Sequence, residues 1–139
     1  MLKLDIARAF DSVSWGFLME ILRKIGFGPR FCELVSIPLS TASTRVLLNG
    51  EPGPPIWHRR GLRQGDPLSP SMFVLMMNSL NRVLAKAIEW GVLKRLARQE
   101  LRTTVSLYAD DSVIFCHTDE DELRAMRDIV ELFGHASGL

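Results

Sequence analysis

With 139 residues, 47% of them hydrophobic, the chain is one globular domain with enough apolar content for a core. Its two widely separated cysteines exclude a disulfide framework and fit a reducing compartment, no signal peptide opens the sequence, and the longest apolar run, residues 72–77, is far too short to cross a bilayer. A formal net charge of +1 is low for a protein that would grip a phosphate backbone, so any such surface must come from segregated charge.

In chain order, Leu2 and Leu4 fit a strand that places Asp5 on the opposite face, although so short a run could equally open a helix. Residues 14–25 carry Leu18, Ile21, Leu22 and Ile25 at helical spacing, and Gly26 is a good stop. A second helix starts over residues 29–35 and ends before Pro38. Residues 44–48, then Asn49-Gly50, then residues 56–59 read as a strand pair, with Pro52, Gly53, Pro54 and Pro55 in its loop.

Residues 61–70 read Gly-Leu-Arg-Gln-Gly-Asp-Pro-Leu-Ser-Pro. The two glycines let backbone approach a ligand closely, and Arg63 and Gln64 bring donors with it. Ser69 as N-cap and Pro70 as first helical residue would open a helix whose N-terminus favours anions, although many Gly-rich loops before helices are only turns. That helix runs from Pro70 to about Trp90, with Phe73, Met76, Met77, Leu80 and Leu84 as its apolar stripe. Residues 81–104 carry six bases (Arg82, Lys86, Lys94, Arg95, Arg98, Arg102) against two acids, whereas residues 118–132 carry six acids against two bases. With Arg59, Arg60 and Arg63 the basic stretch is either a nucleic-acid surface or a solvated helical face.

Two short apolar runs, residues 105–108 and 113–116, flank Ala109, Asp110 and Asp111 as a hairpin with adjacent carboxylates at its tip. Repulsion between neighbouring carboxylates calls for a compensating cation, and no Lys or Arg occurs from Val105 to Asp128 except Arg124 and Arg127. A divalent metal would supply the compensation; a solvated Asp turn is the plainer alternative. Thr118, with Asp121 three residues on, caps a final helix reaching Leu132 or Phe133. The whole is an α+β architecture, a small antiparallel sheet covered by helices on one face.

A two-metal centre needs carboxylates converging from at least two elements, around ions roughly 3.5–4 Å apart. Asp5 and the pair Asp110 and Asp111 are the right types. The histidines His58, His117 and His135 and the cysteines Cys32 and Cys116 have no spacing that makes a triad, a zinc site or a redox pair.

These three segments, in this order, resemble the palm motifs of reverse transcriptases, in wording closest to non-LTR (LINE-type) retrotransposon enzymes, particularly plant ones. Residues 4–13 resemble the first carboxylate motif, residues 61–70 the glutamine-glycine motif, and Tyr108-Ala109-Asp110-Asp111 the Tyr-x-Asp-Asp box. Residues 26–28, 45–50 and Phe133, Ala136, Ser137, Gly138 and Leu139 match too, so the resemblance spans nearly the whole chain.

The resemblance implies a partial palm over residues 1–139, truncated at both ends. Asp5, Asp110 and Asp111 would be catalytic and would bind two Mg²⁺ ions, with Mn²⁺ as an alternative and the Ile6 carbonyl as a further ligand. Ala7, Arg8 and Ala9 would receive the triphosphate, and Phe10 would gate against the 2′-hydroxyl. Gln64 and Gly65 would touch nucleotide and template, and Tyr108 would lie near the primer end. RNA template, DNA primer and deoxynucleoside triphosphates are the implied partners, without a membrane, in the nucleus or cytoplasm. With fingers and thumb missing, the resemblance implies weak or absent activity from the isolated chain, because positioning supplies roughly 7–11 kcal/mol of barrier lowering. Two other readings stand beside it: a non-catalytic retroelement remnant that at most folds or binds nucleic acid, and a metal-dependent phosphodiesterase that reuses the carboxylates.

Overall fold

A computed structural model describes residues 2–6, 8–94, 105–108, 111–117 and 119–139, giving the backbone alone for Asp5, residues 105–108, Asp111 and Ser112. Helices and small antiparallel sheets alternate along it, the α+β class expected. The order is β1 (Leu2–Asp5), α1 (Ala9–Ser12), α2 (Trp15–Lys24), α3 (Pro29–Ser40), β2 (Ser43–Thr44), β3 (Leu47–Leu48), β4 (Glu51–Pro52), β5 (Ile56–Trp57), α4 (Ser69–Glu89), β6 (Val105–Tyr108), β7 (Asp111–Ile114) and α5 (Glu120–Ser137). No helix of the described residues is long and apolar enough to cross a membrane.

The core forms where α4 meets α2 and α5. All five residues of the expected α4 stripe are buried, and they join Leu18 and Leu22 of α2, Cys32 and Val35 of α3, Met126 and Phe133 of α5, and Ile114 of β7 in one cluster. Helix α2 begins as its sequence requires: the Ser14 hydroxyl accepts from the Phe17 amide at 3.4 Å. It ends at Gly26 in the left-handed region, φ 98°, with the Phe27 amide returning to the Leu22 carbonyl at 3.0 Å.

Several expectations need correction. Helix α3 runs through Pro38 to Ser40. Proline there removes one helical hydrogen bond in the last turn, to the carbonyl of the exposed Leu34, which water can reach. Leu39, packed against the core cluster, and the Ser40 and Thr41 hydroxyls, which donate to the Ile37 carbonyl, hold the turn together.

The expected single strand pair is two separate ladders. β2 pairs with β5 and β3 with β4, so Pro52 lies in a strand and not in the loop. Asn49 and Gly50, both at positive φ (52° and 88°), make the two-residue turn between β3 and β4, the conformation that suits a right-twisted hairpin.

At the start of α4 the cap position belongs to Leu68, without a side-chain cap, and Ser69 is buried inside the helix. Asp66 instead shapes the turn that leads into the helix: its carboxylate accepts from the Leu68 amide at 2.8 Å and its carbonyl from the Ser69 amide at 3.2 Å. A carboxylate therefore already stands at this helix start.

β7 begins at Asp111, two residues before the expected strand, so Asp111 belongs to the sheet and not to a hairpin tip. Thr118 lies outside the described residues; the cap of α5 is Asp119, whose carboxylate accepts from the Asp121 amide at 3.2 Å. The same carboxylate is hydrogen-bonded to Lys94, which holds the Asp119 carboxyl below its usual range and raises Lys94 above its own. Helix α5 continues past Phe133 to Ser137, because Ser137 is fully buried and Gly138, at φ 85°, is the residue able to turn the chain out.

Burial separates neighbours on α4. Leu84 is fully buried and Val83 is 45% exposed. In urea denaturation Leu84→Ala is expected to cost about 2–5 kcal/mol, and Val83→Ala less than about 1 kcal/mol; equal losses would contradict the packing described.

Candidate functional site

β7 is the centre of a three-stranded sheet, order β1-β7-β6, antiparallel throughout. Its first residue, Asp111, is the register partner of Asp5 on one side and of Tyr108 on the other. Opposed positions of an antiparallel pair stand about 4.5–5.5 Å apart at Cα, so two acidic residues remote in sequence become backbone neighbours. Ala109 and Asp110, between β6 and β7, lie outside the described residues. Among the described residues no group of three His, Cys, Asp or Glu stands ready to hold a metal. The donor chemistry nevertheless suits a hard cation, since the two adjacent positions both carry carboxylates.

Beyond β1 the chain turns sharply. Ile6 is half-buried against the core, Ala7 lies outside the described residues, and Arg8 is left-handed at φ 57°, ψ 38°. Non-glycine residues seldom adopt that conformation. The Arg8 carbonyl then accepts from the amides of Asp11 and Ser12 at 2.9 and 3.0 Å, which closes the single turn of α1. Ala9 is buried, and the half-buried Phe10 ring stacks on Phe73 of α4 with centroids 4.8 Å apart and planes 22° from parallel.

The loop before α4 is bonded directly to this turn. The Gly61 amide donates to the Val13 carbonyl at 2.8 Å, and the Leu62 amide to the Phe10 carbonyl at 2.6 Å. The Trp15 indole N–H donates to the Gly61 carbonyl at 2.7 Å. Gly61 sits at φ 88°, and a Cβ there would come within 2.7 Å of the Asp11 carbonyl oxygen, so only glycine allows the approach. Gly65, at φ 85°, would meet nothing within 4 Å; conformation alone selects it. Gln64 is exposed, and its amide nitrogen reaches the Asp11 carboxylate at 3.5 Å.

The end of α5 closes on the same segment. The Ser14 amide donates to the Ser137 carbonyl at 2.7 Å, and a Cβ on Gly138 would fall 2.5 Å from the Ser12 carbonyl oxygen. Of the residues singled out in the sequence, the backbone thus assembles Asp5 with Asp111 and Tyr108, and the Phe10 turn with the Gln64 loop. Asp11, Trp15 and the Ser137–Gly138 clamp were not singled out for the site. The indole donor of Trp15 has no sequence signature, whereas Gly138 at the end of an amphipathic run is a recognisable stop signal.

A small antiparallel sheet that pairs two acidic positions, followed by helices and a glycine loop bonded to the turn after β1, defines the class as an α+β domain. The pattern of the reverse transcriptase (RNA-dependent DNA polymerase) family matches residues 1–139, and the chain belongs to that family. Among similar proteins, a transposon TX1 uncharacterized 149 kDa protein of Xenopus laevis is 32% identical over 98% of this chain and 10% of its own length. The Pol polyprotein of the type-2 retrotransposable element R2DM of Drosophila melanogaster is 33% identical over 83% of this chain and 10% of its own. An uncharacterized mitochondrial protein of Arabidopsis thaliana is 40% identical over 48% of this chain and 56% of its own. The similarity is to the reverse transcriptase domain of non-LTR elements, and the chain spans about a tenth of the first two relatives.

The two glycines of the loop make the docking testable. Gly61→Ala is expected to lower stability by about 3 kcal/mol, through backbone strain together with the clash on Asp11, and Gly65→Ala by about 1 kcal/mol, through conformation alone. Thermal unfolding of the two variants side by side checks this; equal shifts would mean that the loop does not dock as described.

Proposed function

We propose that the chain is the palm of an RNA-directed DNA polymerase, transferring a deoxynucleotide to a primer 3′-hydroxyl with loss of pyrophosphate. The observation that carries the reading is the register pairing of Asp5 with Asp111 in a sheet whose neighbouring strand ends at Tyr108. In this reading the three-stranded sheet, with helices packed behind it, is palm-like.

Asp5, Asp110 and Asp111, with the Ile6 carbonyl, would hold two Mg²⁺ ions, or Mn²⁺ in their place. When bound, these ions activate the attacking oxygen and neutralise the leaving one. The chain's own contribution is positioning. Ala7, Arg8 and Ala9 would receive the triphosphate, with Arg8 in the left-handed conformation that opens the turn into α1. Phe10, its ring backed by Phe73, forms the wall beneath the sugar. Gln64 and Gly65, on the loop bonded to the Phe10 and Val13 carbonyls, meet the nucleotide and the template strand. Tyr108 stands by the primer end. RNA template, DNA primer and deoxynucleoside triphosphates are the partners, and the setting is the nucleus or cytoplasm.

Primer extension on an RNA template with deoxynucleotides and Mg²⁺ tests the reading. The chain should extend the primer weakly, and Asp110→Asn should lower that extension by roughly two orders of magnitude while keeping the fold, the scale of losing one preorganised electrostatic group. Equal extension by both would sink the metal assignment; none from either would favour a non-catalytic remnant. Phe10→Ala should raise ribonucleotide incorporation relative to deoxynucleotide, and an unchanged ratio would remove Phe10 as the gate.

A further inference from the structure

The arm made by β2 to β5 displays an unusual surface. Trp57 is 60% exposed, and Ile56, Val46, Leu47 and Leu48 are all more than half exposed. Around them, residues 43–63 carry four arginines (Arg45, Arg59, Arg60 and Arg63) against a single acid, Glu51. All four arginines are exposed, and none makes an ion pair among the described residues.

The arm is held in place at its base. The His58 amide donates to the carbonyl of the buried Ala42 at 3.0 Å, and Thr44 Oγ1 lies 2.7 Å from His58 Nε2. Ser43 pairs with Trp57, and Arg45 and Arg59 stand two residues beyond those paired positions, where the chain has left the ladder and, at Arg59 and Arg60, bends. An exposed indole is thereby presented on a hydrogen-bonded ladder, with exposed arginines two residues on along each of its strands.

We infer that this arm binds single-stranded nucleic acid, with Trp57 as a stacking platform for an unpaired base and Arg45, Arg59 and Arg60 on the flanking phosphates. Two properties select that ligand. An exposed aromatic face offers most to a base that is not already stacked in a duplex. Four uncompensated arginines complement a polyanion, and guanidinium matches phosphate geometry. An apolar protein partner would leave those charges unmatched at its core. As the surface for an incoming template strand, the inference rests on the polymerase reading; as a binding site it is measurable without catalysis.

The test is fluorescence titration of the 139-residue chain with a labelled twelve-nucleotide uridine strand, in chelator and without nucleotide, so that failure of metal binding or polymerisation cannot influence it. The chain should bind the single strand more tightly than a duplex of equal length. Trp57→Ala should weaken it about tenfold, with Trp57→Phe restoring most of the affinity. Arg59→Gln with Arg60→Gln should flatten the slope of log affinity against log salt by about 0.7 for each phosphate that the removed guanidinium groups had neutralised. Unchanged circular dichroism should accompany all of these, since every altered side chain is exposed. Equal affinity of Trp57→Ala, a preference for duplex, or concentration-dependent self-association abolished by Trp57→Ala would overturn the inference.

Discussion

The fold turns on four carbonyl oxygens and the amides they receive. Those of Phe10 and Val13 accept from Leu62 and Gly61, that of Gly61 accepts the Trp15 indole, and that of Ser137 accepts from Ser14. Buried or half-buried backbone groups must find partners, and here they find them between segments about 50 and more than 120 residues apart in sequence. The short run from Phe10 to Ser14 is consequently the place where the β1 turn, the loop before α4 and the end of α5 are joined.

Asp5 leaves the sheet and within a few residues the chain is fastened to the Gln64 loop, while α4 backs the same turn through the Phe10–Phe73 stack. Shifting the loop would break two backbone hydrogen bonds at once, and moving α5 would break the Ser14–Ser137 bond. Val13, fully buried between these partners, makes such a shift costly in packing as well. The motif segments are thus fastened to one another by main chain, which is less yielding than long side chains.

What could be read from sequence was whatever repeats or uses a residue with narrow physical meaning. The α4 stripe, the Gly26 stop and the Asn49-Gly50 turn each follow from local pattern, and each is present. The misreadings share a cause in tertiary context. Pro38 continues a helix because its missing hydrogen bond falls on a carbonyl of an exposed residue in the last turn, and Ser69 is buried inside the helix while Asp66 forms the turn before it. Of the site, residue types and order were legible through the three motifs. The pairing of Asp5 with Asp111 was not, because register depends on strands more than 100 residues apart in the chain. The docking of Gly61 on Asp11 was equally hidden: a glycine announces freedom of φ, not the neighbour that excludes its Cβ.

Amide hydrogen exchange read residue by residue is the most direct test of this junction. The Gly61, Leu62 and Ser14 amides, although they lie in or beside loops, should exchange as slowly as amides in the middle of α4, since their opening requires the junction itself to come apart. Exchange of these three as fast as that of exposed amides on the β3–β4 arm would contradict the account, because it would mean that the motif segments are not fastened to one another in the folded chain.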